Sequence, residues 1–176
     1  MGLFLLAGAA GAFPSSIAAP QAAFAPTYIL TLTGYNAVPA QTDDTPFITA
    51  SGAYTNPEVV AARSQDLRDE LPFGTIIAID GPTDMKASGT CGYKAVGSAV
   101  GYRVIADTMN ARYTQYVDVV FKTVSAAITL GVCPGTTVRV VGFVDIKNPA
   151  NLPKSQADLA VLVAKGSPPA GGLAGK

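Results

Sequence analysis

The stretch GYRVIADTMNARYTQYVDVVF, residues 101–121, decides the fold. Its two ends, YRVIAD and YVDVVF, are dense in β-branched and aromatic residues, the composition of strands. Between them lies the polar segment TMNARYTQY, which reads as a loop. Each strand candidate carries one aspartate: Asp107 closes the first and Asp118 sits inside the second. Working outward, TYILTLTGYNAVPA (27–40), a short piece at Phe47–Ala50, PFGTIIAID (72–80) and TTVRVVGFVDI (136–146) read as further strands. PEVVAARSQDLRDEL (57–71) opens on Pro57 and stops before Pro72, the signature of a helix. TVSAAITLGV (123–132) reads as a second helix, opened by Thr123 or Ser125 and closed by Gly131. Residues 80–101 are rich in Gly, Ser and Thr and read as a long loop or hairpin carrying Cys91. LPKSQADLAVLVAKG (152–166) predicts a C-terminal helix, and SPPAGGLAGK (167–176) a disordered tail. Such an alternation of strands with two short helices fits a small closed barrel better than a doubly wound parallel sheet.

Composition narrows the chemistry. The chain has 176 residues, with 12 basic and 12 acidic side chains that cancel. With no basic excess, nucleic acid is a poor partner. Histidine is absent, which removes Ser-His-Asp and Cys-His catalysis and the common zinc sites. Proton transfer must then fall to carboxylates, lysine or tyrosine. No metal and no cofactor are expected.

The N-terminus predicts an export signal over residues 1–25. GLFLLAGAAGAF is apolar but too short to span a bilayer, and Ala22–Ala25 offers an A-x-A pattern just before Pro26. The first Lys or Arg is Arg63, so the run has no basic flank. Residues 27–146 form the expected barrel domain and 147–176 the C-terminal helix and tail. An exported chain with two cysteines predicts one disulfide, Cys91–Cys133. The mature chain is expected to be a monomer of the cell envelope, periplasm or extracellular space, without a membrane span.

The motifs TASG (49–52), LPFGT (71–75), VIADT (104–108) and VDVVF (117–121), in that order, resemble 3D-domain proteins, the three-aspartate family to which the barrel of membrane-bound lytic transglycosylase A belongs. The resemblance spans roughly residues 31–144. The second half, VDVVFKTVSAAITLGVCPGTTVRVVG, also resembles the barrel of rare lipoprotein A. The resemblance implies a mainly β fold, a six-stranded double-psi β-barrel with short inserted helices, gripping peptidoglycan glycan strands. It further implies cleavage of the MurNAc-GlcNAc bond without water, leaving a 1,6-anhydro end. Asp118 takes the place of the family's acid/base and Asp107 that of its second aspartate. The first aspartate falls on Asp66, with Asp69 the alternative. Thr49, Gly74 and Thr108 stand at motif positions expected at the substrate, although Gly74 also reads as a turn glycine. The loop DTMNARYTQYVD lacks the glycines that many members carry there.

Residue chemistry agrees in part. Asp118 between Val117 and Val119 has an apolar setting that raises a carboxyl pKa. Asp107 nearby would add like-charge repulsion. One aspartate suffices for a transglycosylase, as acid and then as base toward the sugar's own 6-hydroxyl. Tyr113 and Tyr116 can stack on sugar faces; Arg103 and Arg112 can hold acetamido or lactyl groups. Each has a plainer role too: Asp107 suits a turn, Asp66 a solvated helix face, and Asp43 and Asp44 a turn-rich loop. The rival reading is a non-catalytic, expansin-like barrel that binds cell-wall glycan.

Overall fold

The computed structural model describes residues 25–37, 47–84 and 90–166. The expected export signal, apart from Ala25, the tail at 167–176, and Asp43 and Asp44 lie outside the described residues. Six strands are present: β1 Thr27–Asn36, β2 Val60–Arg63, β3 Thr75–Pro82, β4 Tyr102–Thr108, β5 Tyr116–Phe121 and β6 Cys133–Phe143. Three helices accompany them: α1 Tyr93–Val100, α2 Val124–Leu130 and α3 Gln156–Ala164.

The strands close into a barrel in the order β1-β5-β2-β4-β3-β6. The β1·β5 and β2·β4 pairs are parallel and the other four antiparallel. Renaming each strand by three steps, so that β1 becomes β4 and β4 becomes β1, maps the ring of pairings onto itself and exchanges the two parallel pairs. This internal two-fold is that of the expected double-psi barrel. Closure also leaves no unpaired edge among the six strands.

Every strand sends side chains inward. Leu30, Leu32, Ala61, Ile77, Ile79, Ile105, Val117, Val119, Phe121, Val138 and Val140 form one buried cluster, joined by Val100 of α1 and Leu130 of α2. A second cluster lies on the outer face, where Val60, Ile76, Val104 and Val120 are covered by Ile146, Leu152 and Leu159. Each such aliphatic side chain contributes about 1.5–3 kcal/mol of transfer free energy before ordering costs. The last helix is fixed by chemistry as well as packing. Ser155 and Asp158 make a reciprocal capping box, and Gln156 Oε1 accepts from Tyr102 N while its Nε2 donates to Tyr102 O. The α2 helix starts where its sequence says, with Thr123 accepting from Ala126 N. Cys91 and Cys133 form the expected disulfide, with Cα atoms 4.7 Å apart.

Several elements differ from the sequence-based expectation. Residues 57–71 are not a helix: they hold strand β2 and a single 3-10 turn at Gln65–Leu67. All four β2 residues are buried, because the strand is inserted between β4 and β5 and loses both faces to packing. Ladder bonds on two sides outweigh the helix propensity of Ala, Arg, Gln and Leu. The loop expected over 80–101 contains α1. Phe47–Ala50 is no strand but part of a turn closed by an isolated Ile48–Tyr54 bridge. Strand β6 begins at Cys133, earlier than expected.

Candidate functional site

The strand registers align four residues in one row across the barrel. Thr33 on β1 pairs with Asp118 on β5, Asp118 pairs with Ala62 on β2, and Ala62 pairs with Asp107 on β4. All four line one groove of about 880 Å³. The two aspartates thus sit one strand to either side of the smallest side chain in the row. At ordinary strand spacing their Cα atoms are roughly 9–10 Å apart.

A register slip makes this possible. Ala61 pairs with Ile105, but Ala62 pairs with Asp107, so Ala106 is passed over. Under strict alternation Asp107 would share the inward face of Ile105, which belongs to the barrel interior. The slip turns it outward beside Ala62, the way bulges re-aim side chains at sites. The displaced Ala106 carbonyl accepts from Ser51 N at 3.1 Å, which satisfies it and draws the 49–53 turn against the groove.

The two carboxyls are held differently. Among its partners, Asp107 accepts from Ala50 N at 2.8 Å and Thr108 N at 2.9 Å on Oδ1, and from the Tyr35 hydroxyl at 3.3 Å on Oδ2. Asp118 receives Thr33 Oγ1 at 2.9 Å on Oδ1. Burial pushes Asp118 up to about 7, and the charge of Asp107 adds to this, while the Thr33 hydrogen bond works against it. The side chain is half-buried: protein crowds the carboxyl, yet it opens on the groove. Tyr35 is raised far above its ordinary value by burial and by both aspartates, so it stays protonated and donates.

The loop between β4 and β5 forms a flank of the groove with Met109, Asn110, Arg112 and Tyr113, continued by Tyr116 at the start of β5. Arg112 lies 4.8 Å over the Tyr113 ring and donates to its hydroxyl at 2.9 Å. Tyr113 and Tyr116 meet with ring centroids 5.3 Å apart. Thr49 and Thr108 also line the groove; Thr49 is buried and donates to Ala53 O.

Four sequence-derived candidates are elsewhere. Asp66 is exposed and accepts from Gln115 N and Nε2 at 3.0 and 2.8 Å. Slight burial opposes, but hydrogen bonds from Ser64 and Gln115 hold its pKa below the usual range. It does not line the groove and instead pins the end of the β4–β5 loop, where Gln115 has φ 60°. Asp69, the alternative, is exposed as well. Gly74 is a turn residue. Its φ is +94°, and a Cβ there would come within 2.1 Å of the Val144 carbonyl. Arg103 is buried, donating to the Pro57 and Ala99 carbonyls, and so does not reach the groove; burial lowers it to about 10. Sequence reasoning missed Thr33, Tyr35 and Ala62. The paired hydroxyls at Thr33 and Tyr35 on one strand face are their only signal, and it is weak.

Neither a protein-family model nor a curated protein matches the chain. Among the described residues, no three His, Cys, Asp or Glu side chains gather closely enough to hold a metal ion. No helix among them is long and apolar enough to cross a membrane. What the groove offers is a half-buried acid poised near neutrality, a second carboxylate on the opposite side of Ala62, and a flank of tyrosines.

Proposed function

We propose that the protein is an exported peptidoglycan lytic transglycosylase that cuts the MurNAc-GlcNAc β-1,4 bond, with Asp118 as acid and then base. The observation that carries this reading is the Thr33–Asp118–Ala62–Asp107 row, which puts a near-neutral carboxyl and a fixed carboxylate in one groove. The motif resemblance to 3D-domain proteins supports it, and the disulfide suits an oxidising compartment.

Protonated Asp118 gives its proton to the glycosidic oxygen as the bond to the MurNAc C1 breaks. The resulting carboxylate then takes the proton of the same sugar's 6-hydroxyl, whose oxygen bonds to C1 and leaves a 1,6-anhydro end. Thr33 occupies Oδ1 of Asp118, so Oδ2 is left for the substrate. Asp107, held by Ala50 N, Thr108 N and the Tyr35 hydroxyl, faces the positive character that develops at the sugar ring. A pKa near working pH serves both halves of this cycle. Tyr113 and Tyr116 supply stacking surface.

A second reading, a glycan-binding barrel without catalysis, draws on the exposed Phe47–Tyr54 pair. These rings are near parallel at 11° with centroids 6.2 Å apart, beside the groove residue Ile48. Release of soluble fragments from purified sacculi separates the two. The enzyme reading expects release by wild type and none by Asp118→Asn; binding of wild type to sacculi without release supports the second.

A further inference from the structure

A smaller cavity of about 480 Å³ adjoins the Asp107 end of the groove and shares Ala50 and Thr108 with it. Its other lining residues are Arg63, Gln65, Arg68, Pro72 and Phe73. Among the described residues the lining holds two guanidinium groups and no carboxylate.

Arg63 is the unusual member. It is only 4% exposed. Its Nε donates to Leu71 O at 2.7 Å and its Nη1 to Ser64 O at 3.2 Å, and its guanidinium lies 5.2 Å over the Phe73 ring. Those contacts fix the group rigidly but use only neutral partners, and among the described residues Arg63 forms no ion pair. Burying a cation this way is costly unless an anion completes the site. Arg68 is exposed and close enough to repel Arg63, while Asp66, Asp69 and Glu70 attract it from a distance. Those three carboxylates are exposed and none lines the cavity. Chain folding has therefore placed a pre-oriented cation, a second, exposed cation, and the neutral donors Gln65 and Thr108 around an open space.

We propose that this cavity is a carboxylate subsite, which takes an acidic substituent of the glycan while the sugar chain lies along the groove toward Asp118. The inference rests on the glycan reading for the identity of the ligand, but not for the existence of the anion site. Arg63 and Arg68 bind the carboxylate, and Phe73 walls its aliphatic side. Two sources share this chemistry: the lactyl carboxylate of bare MurNAc, and the carboxylates of a peptide stem attached to it.

Arg63 is buried and its replacement risks the fold, so the test uses Arg68→Gln, an exposed position. Lactate and N-acetylalanine are titrated into the whole chain while backbone amide signals are followed by NMR. The expected result is saturable movement at Gln65, Phe73 and Thr108, absent with lactamide and N-acetylalanine amide. Affinity should fall about tenfold in Arg68→Gln, the scale of one charge-assisted hydrogen bond. No saturable movement there, or equal movement with the neutral amides, overturns the subsite and leaves the cleavage reading standing. A second arm compares chitotetraose, a bare MurNAc-GlcNAc tetrasaccharide and the same tetrasaccharide carrying peptide stems, using Asp118→Asn to prevent turnover. A stem converts the lactyl carboxylate to an amide, so preference for the bare MurNAc glycan alone identifies the lactyl group, preference for the stem-bearing one alone identifies the peptide, and preference for both over chitotetraose shows that the subsite takes either carboxylate. Equal binding of all three overturns the subsite's role in glycan recognition even if small carboxylates bind. Loss of sacculus cleavage with the NMR result intact would defeat the transglycosylase reading and keep the anion site.

Discussion

Asp107 and Asp118 are both cross-strand neighbours of Ala62, one on β4 and the other on β5. Neither strand order alone nor either motif alone produces that relationship. It needs β2 inserted between the two aspartate strands and a one-residue slip at Ala61–Ala62. The consequence is an acid and a carboxylate that feel each other's charge from either side of Ala62, in one groove.

The Thr33 hydroxyl opposes the rise in Asp118's pKa by donating to its ionised form. Thr33→Val removes that donor with little change of shape. The alkaline limb of the pH–rate profile for sacculus cleavage, near 7 in wild type, should move upward. An unmoved limb would show that the Thr33 bond does not govern the acid.

Asp118 also sets a stability profile. Its carboxyl titrates near 7 in the folded chain and near 3.9 when unfolded. The folded state keeps a proton that the unfolded state has released between those values. This contribution is therefore full below about pH 4 and lost as pH rises through 7, a change on the order of 4 kcal/mol at most. Asp118→Asn cannot titrate. It should match wild type in urea unfolding near pH 4 and exceed it by a few kcal/mol at pH 8. Parallel profiles for the two proteins would refute the raised pKa.

Much of the barrel was legible because β4 and β5 are rich in β-branched residues and each carries an aspartate at a motif position. What stayed hidden is non-local. Thr33 meets Asp118 across 85 residues and Tyr35 meets Asp107 across 72, and a register between distant strands leaves no mark in either segment. β2 concealed itself because VAAR is buried on both faces, so the alternation that betrays a strand is missing. The glycines and serine of GYKAVGSAV suggested a loop, yet Gly97 in α1 makes room for the Tyr93 ring, 3.0 Å from where a Cβ would stand. Asp66 fitted a motif by spacing, but the 3-10 turn that carries it points it at Gln115 instead.

Gly74 holds a turn and does not line the groove. Its N–H donates to Ile105 O and its carbonyl accepts from Val144 N, each at 2.8 Å, so the turn ties β3 to β4 and the end of β6. With φ at +94° and no room for a Cβ, Gly74→Ala should destabilise the chain by about 3 kcal/mol or more. Thermal unfolding measures this; a loss under 1 kcal/mol would contradict so tight an approach.

The disulfide joins cysteines 42 residues apart in sequence. Loop closure of that length contributes about 4 kcal/mol by restricting the unfolded chain. Reduction should lower the urea midpoint accordingly and add two alkylation sites detectable by mass. Two alkyl groups added to the denatured chain without prior reduction would refute the bond.

Cleavage by Asp118 with intramolecular transfer to the 6-hydroxyl, the activity proposed above, is read from the mass of the chain ends released from purified sacculi. Wild type should yield 1,6-anhydro ends, with Asp118→Asn reduced at least about 100-fold while still binding sacculi. Reducing ends in place of anhydro ends, or undiminished anhydro ends from Asp118→Asn, would contradict it.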